Sequence, residues 1–169
     1  MKQYSQHWSN LRPSRLLCRN EMKKNQVPLH WKEIFLKCKQ TSIDSQLEWF
    51  QLRLLHRIIP TNKYVLLCKI RDFALCTFCS HEDNSISHLF WSCRVAQKFW
   101  TDLAVLRTDQ YVHCDSLTFN KTCILSGVAN MFKTDRVLDL ILLHPKLHTV
   151  TCKLLGSTPS ITVFQRVLK

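Results

Sequence analysis

The chain has 169 residues with 46% hydrophobic content, enough for one domain, or one and a half, around a filled core. Lysine and arginine total 24 against 12 acids, a formal charge of +12, which favours polyanionic partners such as nucleic acid over acidic ones. The longest run free of charged residues, Leu154 to Gln165, covers twelve positions, well short of the ~20 apolar residues that span a bilayer, so neither a transmembrane segment nor a membrane partner is expected. The opening residues place no apolar stretch behind their positive charge, so no secretory signal is read there. The nine cysteines are accordingly assigned to a reducing compartment, nucleus or cytoplasm, as thiols or metal ligands rather than a disulfide framework.

The basic excess is concentrated at the N-terminus, where residues 1 to 40 carry a net +7. Gly127 and Gly156 are the two glycines of the chain, too few for a glycine-rich phosphate loop or for many tight hairpins, which points to a mostly α fold. In chain order, residues 13 to 25 read as a basic helix with Arg12, Arg15, Arg19 and Lys23 at helical spacing. Leu29 to Lys37 forms a short amphipathic helix through Trp31, Ile34 and Phe35. The strongest pattern follows, with Ser42 or Asp44 as N-cap and Leu47, Phe50, Leu54 and Ile58 on one face until Pro60 stops the helix. Thr61 caps another short helix through Cys68; a Cys/His/Ser-rich element fills 73 to 93, and a helix resumes through Val95, Phe99, Leu103 and Leu106. Further helices are expected over 117 to 132, 134 to 144 and 160 to 168, with Pro145 interrupting the apolar run. The boundaries read as a basic extension (1–28), a helical domain built on a metal knuckle (29–107) and a helical C-terminal tail (108–169).

Cys76, Cys79, His88 and Cys93 make the pattern C-x2-C-x8-H-x4-C. Two thiolates two residues apart chelate one ion from a tight turn, and the later His/Cys pair closes a tetrahedron, as one structural zinc requires. With all four positions taken, no site remains for a reacting water, so the metal is structural. His88 and Cys93, five apart, differ by roughly 140° around an α-helix. A short turn is therefore expected at His88, with Cys93 in the first turn of the helix leading to Trp100. The simpler alternative is a set of buried free thiols. His81, two residues past Cys79, is too close to wrap onto the same ion and is expected to be exposed. Cys18, Cys38, Cys68, Cys114, Cys123 and Cys152 have no partner at ligand spacing and read as small core fillers.

The motifs Trp31-Lys-Glu-Ile-Phe, Leu47-Glu-Trp-Phe-Gln-Leu-Arg, His56-Arg-Ile-Ile-Pro-Thr-Asn-Lys, Cys76-Thr-Phe-Cys and His88-Leu-Phe-Trp-Ser-Cys, followed by Phe99-Trp100, resemble in order the zinc-binding domain at the C-terminal end of reverse transcriptases of non-LTR retrotransposons. The resemblance runs from about Trp31 to Leu103 and implies a domain beyond the polymerase that helps engage an RNA template and target DNA, with Cys76, Cys79, His88 and Cys93 as its zinc ligands. Elements of this family often carry a glutamate and a threonine shortly before the ligand histidine, where this chain has Asn84 and Ser85. That departure, with Pro145, fits a decayed or repurposed copy.

No adjacent pair of aspartates is present to hold two Mg²⁺ ions, and Glu82-Asp83 reads as a solvated turn in the knuckle. The chain is therefore expected not to be an enzyme on its own and to take no small-molecule substrate. Arg53 and Arg57, at i and i+4, are like charges that cost about 0.2 to 0.5 kcal/mol unless an anion compensates. An external phosphate satisfies both. His56, Lys63, Lys69 and Arg71 extend that basic surface toward the knuckle, and Arg12, Arg15, Arg19 and Lys23 add to it, although a solvated face accounts for any one of them singly. Of Trp49, Phe90, Trp91, Phe99 and Trp100, most are expected in the core and one or two on the surface. The expected function is thus a zinc- and nucleic-acid-binding module of low sequence specificity. The alternatives are a zinc-stabilised module that binds a protein partner, or a translated remnant without a selected role.

Overall fold

The computed structural model describes Ile34 and residues 44–110, 121–126 and 136–167; Arg12, Arg15, Arg19 and Lys23, and the helix expected over 13 to 25, lie outside these residues. Of the helix expected over 29 to 37, Ile34 is described, helical and buried. The described residues form helices α1 (Ser45–Leu55), α2 (Asn62–Leu67), α3 (Arg94–Gln110), α4 (Lys121–Ser126), α5 (Arg136–Leu154) and α6 (Ile161–Val167), with a π turn, His88–Ser92, ahead of α3. Among them no strand occurs. The sole sheet-like pairing there is an antiparallel bridge between Leu75 and Asp83.

Both expected N-caps are present. Asp44 accepts the backbone N–H of Gln46 through Oδ1 at 2.8 Å, and Thr61 Oγ1 accepts that of Tyr64 at 3.2 Å, each satisfying a donor that the first helical turn leaves open. The end of α1 differs from expectation. The helix stops at Leu55 rather than running to Ile58, because a helical residue 60 would drive the Pro60 ring into the carbonyl one turn back, and residue 59 is pushed out of the α region. Arg57 takes the left-handed conformation (φ 59°) and closes the helix: its N–H donates to Leu54 O (3.1 Å) and that of Ile58 to Arg53 O (3.0 Å), the paired bonds of a Schellman cap. α2 ends in the same way on Lys69 (φ 57°), and α5 on Gly156 (φ 69°).

Pro145 does not interrupt its helix, contrary to the expectation, and α5 runs through it to Leu154. A proline inside a helix costs about 3 kcal/mol in isolation. Here the flanking turns carry Leu142, Leu143, Lys146 and Val150 into the interior, and α5 packs on both α1 and the π turn, so tertiary burial outweighs the lost hydrogen bond. Lys146 Nζ also donates to Gln51 Oε1 across the α1–α5 contact at 3.1 Å.

One core runs through these elements. Leu47, Phe50 and Leu54 of α1, Leu89 and Phe90 of the π turn, Phe99, Trp100 and Leu103 of α3, Ile124 and Leu125 of α4, Leu142, Leu143 and Val150 of α5 and Phe164 of α6 belong to a single buried cluster that also contains Cys76 and Cys93. The helices at 121–126, 136–154 and 161–167 therefore share the interior on which the knuckle rests. Phe90, Phe99 and Trp100 are buried and Trp91 packs partly buried against them, while Trp49 stands 62% exposed. No helix among the described residues is long and apolar enough to cross a membrane.

Candidate metal centre

Residues 74 to 84 fold back on themselves as a small hairpin. Cys76 N–H donates to Glu82 O (2.8 Å), Ser80 N–H to Cys76 O (2.8 Å) and Asn84 N–H to Ala74 O (2.7 Å), with Ser80 left-handed (φ 55°) just past the second cysteine. That turn points two sulfurs the same way. The opposite side of the site comes from the π turn. Ser85 starts it, its Oγ accepting the N–H of His88 at 3.1 Å, and Cys93 N–H donates to His88 O at 2.9 Å, an i→i+5 bond.

This bond explains how His88 and Cys93 converge, and it corrects the expected placement. Five residues are too many for one α turn, so an α-helix would splay the two side chains. A π turn closes over that interval and stacks them. Cys93 consequently lies ahead of α3 rather than in its first turn, with extended backbone (ψ 127°) and its carbonyl accepting the N–H of Gln97. At the junction, Trp100 Nε1 donates to Phe90 O at 2.7 Å and ties α3 to the turn.

Cys76 Sγ, Cys79 Sγ, the His88 ring and Cys93 Sγ all lie within 4.8 Å of one another. Cys76 and Cys93 approach to 3.9 Å through their sulfurs, and Cys79 Sγ lies 3.3 Å from His88 Nε2. Cys76, His88 and Cys93 are buried and Cys79 is half-buried, whereas His81 is exposed, as its spacing required. These four residues can hold a metal ion.

A surrounding set of polar groups orients them, and sequence reasoning missed it. Glu82 Oε2 lies 3.1 Å from His88 Nδ1, which leaves Nε2 as the ligand atom and fixes the ring. Asn84, fully buried, donates through Nδ2 to Cys76 Sγ at 3.4 Å and accepts Asn62 N–H at its Oδ1. Asn62 in turn donates to Thr77 Oγ1 at 3.2 Å. The Glu82-Asp83 turn is therefore more than solvated: Glu82 holds the histidine, and Asp83 pairs with Lys63 at 3.4 Å. The one available signal was the position of Glu82 six residues before a ligand histidine.

The thiols differ. Burial pushes Cys79 up, but the backbone N–H groups of His81 and Glu82, with His88 and Cys76, outweigh it and bring the thiol down to about 6. Burial pushes Cys93 up to about 11; the N–H groups of Ala96 and Val95 oppose this, and the neighbouring Cys76 and Cys79 add to it. Cys79 is thus the readier of the two to ionise, and Cys93 must give up a proton to bind a cation.

The basic residues are distributed differently from expectation. Arg53 is exposed on α1, but Arg57 lies past the helix end, half-buried, so the two do not form an exposed i, i+4 pair. Lys63 is exposed and engaged with Asp83. Lys69 and Arg71 are exposed beyond α2, and the Arg71 guanidinium sits 5.7 Å from the centroid of the Phe73 ring. Of the cysteines assigned to the core, Cys152 is buried, Cys68 is half-buried, and the side chains of Cys18, Cys38, Cys114 and Cys123 lie outside the described residues. No protein-family model, curated protein or solved structure matches the chain.

Proposed function

We propose that this chain is a nucleic-acid-binding module built around one structural zinc, with no catalytic site of its own, related to the domain that follows the polymerase in non-LTR retrotransposon proteins. The observation that carries the reading is the geometry of Cys76, Cys79, His88 and Cys93. A tetrahedral ion with Zn–S of about 2.3 Å and Zn–N of about 2.0 Å sets its sulfurs about 3.8 Å apart and a sulfur and nitrogen about 3.5 Å apart. The 3.9 Å and 3.3 Å separations fit those edges. Three thiolates and an imidazole suit zinc by softness, and four protein ligands leave no position for a reacting water. The support for nucleic acid is the +12 charge together with the motif resemblance.

Two measurements test the reading. Protein purified without added metal is expected to hold one zinc per chain, and a folded chain with none sinks the metal assignment. Single-stranded RNA is expected to bind with an affinity that falls linearly, log against log, with salt, by about 0.7 per phosphate contacted. Absence of binding, or binding indifferent to salt, overturns the nucleic-acid assignment and favours a protein partner.

A further inference from the structure

Each of the other described helices gives at least one side chain to the buried cluster, and α2 gives none. Of its six residues only Asn62 is buried, while Lys63, Leu66 and Leu67 are exposed. A helix this short does not hold itself, because isolated helices below about 12 to 15 residues are marginal in water. Its first turn shows what fixes it instead. Asn62 N–H donates to Asn84 Oδ1 at 3.4 Å, and Lys63 N–H donates to Asn84 O at 3.3 Å. Asn62 Nδ2 donates to Leu75 O and to Thr77 Oγ1, and Lys63 Nζ pairs with Asp83. Every one of these contacts ends in the hairpin of residues 74 to 84, the segment that supplies Cys76 and Cys79.

Helix and metal centre meet at Asn84. It is fully buried, and each of its polar groups is engaged: its N–H with Ala74 O, its carbonyl with Lys63, its Oδ1 with Asn62 and its Nδ2 with Cys76 Sγ at 3.4 Å. The position calls for an amide. A carboxylate would accept from Asn62 but set a second negative charge against a thiolate, and an apolar side chain would leave the buried Asn62 N–H without an acceptor.

We propose that Asn84 is a positioning residue that transmits the state of the metal centre to α2, which is held when the metal is bound and released when it leaves. With Cys76 ligating as a thiolate, the Asn84 amide has a charged acceptor that fixes its orientation. Once the hairpin loosens, the first two N–H groups of α2 lose their acceptors together. The exposed Lys63, Leu66 and Leu67 consequently form a fixed surface in the loaded chain alone. This rests on the zinc reading above and extends it to a helix that carries no ligand.

The test uses the full chain, zinc-loaded and chelator-stripped. Hydrogen exchange is read at Val65 and Cys68, which donate to Thr61 O and Tyr64 O, and at Leu155, which donates to Thr151 O at the end of α5, as reference. In wild type, stripping is expected to abolish protection at Val65 and Cys68 and to leave Leu155 protected. Asn84→Ala is expected to bind zinc about 10- to 100-fold more weakly and, even when saturated with zinc, to leave Val65 and Cys68 unprotected. With cobalt(II) as the probe metal, the thiolate-to-metal charge-transfer band of Asn84→Ala is expected at longer wavelength than in wild type, because a sulfur has lost its hydrogen-bond donor; a role in packing alone would not move it. Asn62→Ala is expected to lower protection at Val65 and Cys68 while the cobalt band stays at its wild-type position. Val65 and Cys68 that stay protected in the stripped wild type, or that lose protection only together with Leu155, overturn the coupling and leave the zinc reading intact. An Asn84→Ala chain with wild-type affinity, band and protection, or one that holds no metal even at saturation, overturns the role given to Asn84. A wild-type chain that takes up neither zinc nor cobalt overturns the zinc reading as well.

Discussion

On the proposed zinc reading, removing the metal is the most direct perturbation of this chain. Structural zinc contributes about 10 to 16 kcal/mol in small finger peptides, comparable with or larger than the roughly 5 to 15 kcal/mol that holds a whole domain together. What else fixes the knuckle is smaller. Leu89 and Phe90 are fully buried from the π turn, and two such side chains give about 3 to 6 kcal/mol of burial in total. Against this, the metal-free site gathers three sulfurs within 4.8 Å of one another and of a histidine ring, while ordering each residue costs about 1 to 2 kcal/mol in backbone entropy. The balance favours release of residues 74 to 93 when zinc leaves. Because Leu89 and Phe90 also belong to the common core, loosening should spread to the start of α3. Hydrogen exchange with and without a chelator checks this at named amides: Cys76, Asn84 and Cys93, which donate to Glu82, Ala74 and His88, should lose protection first. The Cys93→Ser chain should behave like the stripped protein and the His81→Ala chain like wild type. If those three amides stay protected in protein shown to be free of metal, packing holds the knuckle and zinc is not what keeps it folded.

Glu82→Ala should lower zinc affinity by about tenfold in competition with a chromophoric chelator, the small end of the range for outer hydrogen-bond partners because the carboxylate is largely exposed. Lys69→Gly should raise stability by about 1 kcal/mol in denaturant melts, since an L-residue in the left-handed conformation is replaced by one with no Cβ to strain. The buried His148, packed against the rings of Phe99 and Phe164, has its pKa lowered from 6.5, chiefly by desolvation, although the Ser160 backbone pulls the other way. A depressed folded value gives stability that is present above pH 6.5 and is lost as pH falls through it. Melting temperatures of the zinc-loaded chain should therefore drop less steeply on acidification in His148→Phe than in wild type, and equal slopes would remove His148 from the acid response.

The clustering of the four candidate ligands was legible because a chelate constrains spacing: two cysteines three positions apart followed by a histidine and a cysteine carry a geometric requirement in the sequence itself. The helix starts were legible for a similar reason, since Asp44 and Thr61 are residue types that satisfy an open backbone donor. The helix ends were not. At Arg57 and Lys69 the chain takes a left-handed residue without the glycine that ordinarily announces one. Continuation through Pro145 was hidden because it depends on burial against α1, which no local pattern encodes. The roles of Glu82 and Asn84 were not legible because they arise only when the hairpin folds these residues against the candidate ligands.

The π turn has a consequence for the phase of everything after it. Without Ser92, His88 and Cys93 would be four apart and would meet on an ordinary α-helix. Because the wider π turn takes up the extra residue within a single loop of backbone, the residues after it keep nearly the phase that an unbroken α-helix would give them. Phe99, Trp100 and Leu103 therefore still face the interior. The extra residue is absorbed where the candidate ligands converge and leaves the register of α3 intact.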